Sequence, residues 1–203
     1  MIKLSQAKKV LETFLKDLLS PLGFSRAAKL EYLEYTRPAN EAIASLSWPC
    51  RVDPRGFAAF NCIVGLRFES LASWLPTEMI GTVGLPLHLL REDKAFEEWK
   101  FSQAEDLPSL RVPILTSLEN EALPFIDRYS TLPRLSRAID GTDDVGLDTT
   151  YRVLVRAAIQ MVEGNKPAAL QILESALAQR VGARPKHRYE LERLRDRIAE
   201  VPR

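Results

Sequence analysis

Apolar residues along the chain first recur at helical spacing. Leu4, Leu11, Phe14, Leu15 and Leu18 share one side of a segment that Ser5 can cap and that runs to about Leu19. Glu12 and Lys16 lie four apart on the other side, placed to pair, and Pro21 and Gly23 end the helix. The period then falls to two. Residues 29–36 (KLEYLEYT) read as a strand ending at Arg37-Pro38, and residues 41–48 as a second. Residues 57–68 read as the third and clearest, with Ala58, Phe60, Cys62, Val64, Leu66 and Phe68 on one face. Asn61, Gly65 and Arg67 occupy its opposite face, which reads as half covered. A fourth strand is expected at 86–90, with Pro86 at its first position or on an edge. Short links favour an antiparallel meander.

After Arg91 the spacing becomes helical again. One helix is expected from Asp106 or Ser109 to about Ala122, with Pro113 near its first turns. A second is expected over 124–139, kinked or split at Pro133. Residues 140–148 (DGTDDVGLD) read as a linker, four Asp and two Gly in one short stretch. Three well-punctuated helices follow. Asp148 caps 149–163, which Gly164 stops. Asn165 caps 166–180, with Pro167 in its first turn and Gly182 beyond it. Pro185 opens the last, which runs to about Glu200. Leu170, Leu173 and Leu177 stripe the middle helix, and Leu191, Leu194 and Ile198 the last. The expected fold is α+β: a four-stranded antiparallel sheet packed by helices within residues 1–140, then a three-helix extension over 148–203. One apolar sheet face needs one helical layer.

The 203 residues suit one large domain or two small ones at about 150 residues each. The composition, 46% apolar and 27% charged, is that of a globular protein, and the net charge of +1 gives no global pull toward nucleic acid or an anionic membrane. The first residues, MIKLSQAKKV, do not read as a targeting segment. No apolar run reaches the ~18 residues that span a bilayer. These features make the cytoplasm the expected compartment and give no membrane partner.

Chemistry-bearing residues are sparse. Cys50 and Cys62 form no CxxC pair. If Asp53-Pro54-Arg55-Gly56 turns a hairpin, pairs summing to about 109 put Cys62 opposite Ser47 and Cys50 opposite Ala59, so no disulfide is expected without a register slip. The acidic linker lacks the ligand order of a calcium loop. His88 and His187 lack partners at metal-ligand spacing, and Gly81–Gly84 (GTVG) reads as a turn. No catalytic, cofactor-binding or metal-ligating residue is assigned. From Arg180 to Arg203 there are eight basic and four acidic residues, a local net of +4. Arg188–Glu192 and Glu190–Arg193 spacings there point to a solvated, ion-paired face.

Two stretches carry a family resemblance. One is LLSPLGFSRAAKLEYLEYTRP (Leu18–Pro38), followed by FAAFNCIVGLRF; the other is ALPFIDRYSTLPRL (Ala122–Leu135). Together with Trp99 they resemble the bacterial family called domain of unknown function 4304, over roughly residues 3–139. The resemblance implies an α+β domain and carries over no activity and no catalytic residue. Gly164, Ala169, Leu173, Ala176 and Leu177 are similar to a tetratricopeptide-type helix pair, although Gln160 stands where such a unit has a bulky residue. One unit forms no solenoid.

Three functions are compatible with these residues. The first is a cytoplasmic protein-binding module, regulatory or immunity-type, presenting an aromatic patch near Trp48 or Trp74. The second is a small-ligand binder or enzyme on the polar sheet face, with Asn61, Arg67 and Glu69 converging. The third is nucleic-acid binding by the basic tail, which lacks interleaved aromatics. The candidate partner-binding residues are Trp48, Asn61, Arg67, Trp74, Arg184 and Arg188, the expected partner is another protein, and no cofactor is implied.

Overall fold

The structure, a computed structural model, describes residues 2–27, 32–76, 83–141, 145–179 and 184–202. The chain divides into two compact units. The first comprises Met1–Leu66 and Leu85–Ser130, the second Arg67–Gly84 and Thr131–Arg203.

The first unit opens with α1 (Leu4–Leu19). Its N-terminal residue differs from the expected Ser5 cap: Lys3 holds that position, with its N–H donating to Gln6 Oε1 at 3.3 Å. Ala7, Leu11, Leu15, Leu18 and Leu19 are buried, while Leu4 is 44% exposed. A single 3-10 turn over Ser20–Leu22 and Gly23, at φ +80°, end the helix. Glu12 pairs with Arg26 at 3.0 Å, from β1 (Ser25–Arg26) rather than from its own helix.

The expected four-stranded sheet is two sheets. Beyond β1 the strands are β2 (Leu33–Ala39), β3 (Ala42–Trp48), β4 (Cys50–Val52), β5 (Ala58–Phe60), β6 (Ile63–Arg67), β7 (Val83–Pro86) and β8 (Trp99–Phe101). Five lie in the order β1-β2-β3-β6-β7 and three in the order β4-β5-β8. The alternation at 57–68 therefore spans a break: Phe60 ends a strand of one sheet and Ile63 begins a strand of the other. All six residues of the expected face are nonetheless buried, each at 1% exposure or less.

Strand β2 runs past Arg37-Pro38 to Ala39. Strand β1 reaches only Tyr35 and Thr36, so Pro38 lies beyond its end, where no ladder N–H is needed on that side. The β2–β3 turn uses Asn40 at φ 51°. Ser130 pins that turn, its Oγ accepting from Asn40 Nδ2 at 2.6 Å and its carbonyl from the Glu41 N–H at 3.1 Å. The fourth strand expected at 86–90 is displaced: β7 ends at Pro86, and Leu87–Leu90 form a 3-10 turn. Residues 28–31 and Gly81 and Thr82 of the GTVG turn lie outside the described residues.

Three helical segments complete the unit's chain to Ser130. Pro113 sits inside α3 (Leu107–Ser117), whose first residue follows Asp106. A π-helical turn over Leu118–Ala122 then widens the path, with the Leu123 N–H reaching the Leu118 carbonyl, and leads into α4 (Leu123–Tyr129). In a regular α-helix the Pro124 ring would clash with the Asn120 carbonyl, and the wider turn relieves this. The core holds a cluster of Trp48, Phe60, Trp99 and Phe101, with ring centroids 5.7–6.2 Å apart.

In the second unit, α2 (Glu69–Ala72) follows Phe68, and α5 (Leu132–Asp140) begins after a break at Ser130 and Thr131, one residue before Pro133. The tail helices are α6 (Thr149–Val162), α7 (Lys166–Ala178) and α8 (Pro185–Glu200). Their starts follow the sequence signals. Asp148 Oδ1 accepts from the Tyr151 N–H at 2.9 Å, and Asn165 Oδ1 from the Ala168 N–H at 3.3 Å. Gly164, at φ +77°, turns α6 into α7. Gln160 ties this turn: its Nε2 donates to Glu163 and its Oε1 accepts from Asn165. Helix α6 packs on α2, α5, α7 and α8, burying Leu154, Val155, Ala157, Ala158 and Ile159. Leu173, Leu191, Leu194 and Ile198 are buried, while Leu170 and Leu177 are half-buried. Asp143, Asp144, Arg180 and Gly182 lie outside the described residues.

Candidate functional site

A cleft of about 500 Å³ lies within the second unit, between the turn after α2 and one face of α8. Leu71 and Leu75, 0% and 7% exposed, root the turn, and the N–H groups of Trp74 and Leu75 both donate to the Leu71 carbonyl. Trp74 is left half-buried on the cleft wall, beside Leu75 and Pro76.

Across the cleft, α8 turns Leu191, Leu194 and Ile198 into the core. The adjoining face carries Lys186, Glu190, Arg193 and Arg197, at intervals of four, three and four residues, which a helix aligns in a row. Both ends of α8 are held. Thr150 Oγ1 and His187 Nδ1 are 3.3 Å apart near its start. At its end Lys166 Nζ donates to the carbonyls of Ala199, at 2.9 Å, and Val201, completing acceptors that a helix terminus leaves open.

The cleft combines three kinds of group. Trp74, Leu75, Pro76 and Leu194 supply apolar surface. Lys186, Arg193 and Arg197 supply positive charge, and the Arg197 guanidinium lies 5.1 Å from the Trp74 ring centroid. Glu190 is 8% exposed and its Oε2 is buried with no hydrogen-bond partner. The Glu190–Arg193 pair expected from spacing is thus not what satisfies this oxygen, whereas Arg188–Glu192 forms as expected at 2.9 Å. Such a site can hold an anionic group against an aromatic face, while the unpartnered Glu190 oxygen is itself buried.

Of the residues singled out from sequence, Trp74 lines this cleft. Arg184 precedes α8 and Arg188 is occupied by Glu192; neither is among the lining residues. Trp48 is 0% exposed in the aromatic cluster of the first unit, so it presents no surface to a partner. Arg67 is exposed and faces Glu69 at 3.7 Å, within the second unit. Asn61 belongs to the first unit, with its Oδ1 buried and unpartnered. Sequence reasoning missed Lys186, Glu190, Arg193 and Arg197. The available signal was a charged residue, Glu190, beside Leu191 on the inward side of an otherwise regular amphipathic helix.

The other candidate chemistries resolve into structure. Cys50 and Cys62 are free thiols, and burial pushes both up from the ordinary thiol value, Cys62 strongly. The hairpin register is one residue from the expected one: Cys50 faces Phe60, and Arg51 faces Ala59. At the hairpin turn Asp53 accepts from the Arg55 side chain and N–H, which holds its carboxyl well below the usual range. His88 lies edge-on to Phe96 at 5.1 Å. In the acidic segment, Asp140 pairs with Arg156 at 2.7 Å and Asp148 caps α6. Among the described residues no group of three or more His, Cys, Asp or Glu is placed to hold a metal ion, and no helix is long and apolar enough to cross a membrane.

No family model, curated protein or solved structure matches the chain in comparisons with known proteins.

Proposed function

We propose that this protein is a binding module whose cleft between the Trp74 turn and α8 takes an acidic, apolar-flanked segment of another protein. The observation that carries this reading is the row of Lys186, Arg193 and Arg197 facing Trp74 across a concave, partly apolar surface. Carboxylates of the segment meet the cations, and its apolar side chains lie on Trp74, Leu75, Pro76 and Leu194. Complementary charge sets orientation and encounter rate, and the aromatic wall supplies most of the affinity. A regulatory or immunity-type role in the cytoplasm accords with such a module, as does the resemblance of residues 3–139 to the domain of unknown function 4304 family, which brings no activity of its own.

The test uses the full-length protein and a fluorescent, end-capped peptide of alternating aspartate and leucine, read by polarisation. Binding is expected in wild type, weakened at least tenfold by Arg193→Glu or Trp74→Ala, and unchanged by Arg188→Glu, which lies off the cleft. Equal binding by all four proteins rejects the assignment. Preferential binding of a single-stranded oligonucleotide, steeply salt-dependent and lost with Arg188→Glu, replaces it with recognition of nucleic acid by the basic helix.

A further inference from the structure

We propose that Arg193 and Arg197 make this cleft selective for a phosphorylated side chain on the segment it takes, in preference to a carboxylate. The inference rests on the reading of the cleft given above and names the anion at its centre.

The arginines of α8 divide into two kinds. Arg188 and Arg195 lie against carboxylates of their own helix, Glu192 at 2.9 Å and Asp196 at 2.6 Å. Arg193 and Arg197 are exposed, line the cleft, and have no ion pair among the described residues. Glu190, in the same row, pairs with neither, and its Oε2 is buried. Four residues of helix separate the two arginines, about 6 Å along the axis, so both stand on one face. Like charges at this spacing repel, and an anion between them removes that repulsion. Arg197 is also held in place, its guanidinium over the Trp74 ring at 5.1 Å from the centroid. An arginine resting on an aromatic face keeps its N–H donors, which lie in the plane of the fork.

Charge and geometry both favour phosphate over carboxylate here. A carboxylate brings one negative charge, and a single guanidinium fork takes up its two oxygens. The second arginine is then left uncompensated. A phosphorylated side chain brings about 1.5 to 2 negative charges at pH 7 and three acceptor oxygens, so one group accepts from both arginines at once. The apolar wall favours a phosphate carried on a chain. Trp74, Leu75, Pro76 and Leu194 line the same cleft. A free anion leaves that surface in water, whereas apolar residues on either side of a phosphoserine cover it.

The experiment compares two end-capped peptides on the full-length protein by isothermal titration in phosphate-free buffer. One reads alanine, leucine, phosphoserine, leucine, alanine; its twin has glutamate in place of phosphoserine. Wild type is expected to bind the phosphopeptide about tenfold more tightly than the twin. In Arg193→Gln that preference falls below twofold, and in Arg188→Gln, off the cleft, it stays. Equal affinities in wild type, a preference that survives Arg193→Gln, or one that Arg188→Gln also abolishes, overturn the inference. Inorganic phosphate that binds as tightly as the phosphopeptide overturns it too, since the arginine pair would then serve a free anion. The wild-type comparison requires no variant, so it decides the matter even if Arg193→Gln does not fold. Binding of the aspartate–leucine peptide without any gain from phosphoserine over glutamate removes this inference alone. Binding of none of the three peptides removes it together with the reading of the cleft.

Discussion

Replacing Tyr35 by phenylalanine tests the packing of α1 on the sheet through a single hydroxyl. Tyr35 is 1% exposed, and its hydroxyl donates to the Glu12 carbonyl at 2.9 Å. Burial, followed by the neighbouring Glu12 carboxylate, pushes its pKa up to about 12, against a partial offset from Arg26. The unfolded chain releases this proton near pH 10. Between those values the folded protein keeps a proton that the unfolded chain gives up. The stabilisation is therefore complete below pH 10 and is lost as the pH rises to 12. Two pH units correspond to at most about 2.7 kcal/mol. Glu12, which borders the hydroxyl, has a side chain 47% exposed, so solvent screening reduces this to about 1–2 kcal/mol. At pH 8, Tyr35→Phe costs about 1 kcal/mol, the net worth of the hydrogen bond. Urea melts of both proteins from pH 8 to 11.5 provide the assay, and their difference cancels the other tyrosines and the lysines. Wild type is expected to lead at pH 8 and to lose that lead by pH 11.5. A gap constant across the series would refute the assignment of the buried hydroxyl as the titrating group.

Asn165→Ala removes the cap of α7 and is expected to cost about 1 kcal/mol, while Asn165→Asp retains most of it; thermal melts would show the difference as roughly 2–4 °C. Leu173→Ala, at a fully buried position between helices, is expected to cost about 2–5 kcal/mol in denaturant unfolding. Glu190→Gln removes a carboxylate whose Oε2 is buried and unpartnered, and is expected to raise the melting temperature by a few degrees, about 1 kcal/mol. Arg197→Ala uncovers Trp74, so quenching of tryptophan emission by neutral acrylamide should increase, since Trp48 and Trp99 are 0% and 6% exposed and contribute a constant background.

The tail was legible in the sequence because its signals are local. Asp148, Asn165, Gly164 and Pro185 each act within one turn of the helix end they define, and each stands where the sequence places it. The sheets were less legible because side-chain alternation reports which face is buried and not which strand is the partner. From Ala58 to Phe68 the same face stays buried while the hydrogen-bond partners change at Asn61 and Cys62. Strand β8 was missed because three residues with an exposed Lys100 in the middle make too short a pattern. Pro86–Leu90 alternates as a strand does, yet the chain closes into a 3-10 turn there. At the cleft, Trp74 stood out as an isolated aromatic after a strand. Spacing alone pairs Glu190 with Arg193 on an exposed face and does not reveal that position 190 is buried.

Neither compact unit is a continuous piece of chain. The path passes from one to the other after Leu66, after Gly84 and again after Ser130. No single proteolytic cut or terminal truncation therefore releases either unit whole. A fragment ending in the Asp-rich segment would keep Arg67–Gly84 and α5 but lose α6, α7 and α8, which belong to the same unit. Truncation would then report misfolding in place of the tail's contribution. Side-chain replacements in the intact chain are the means of dissecting this protein.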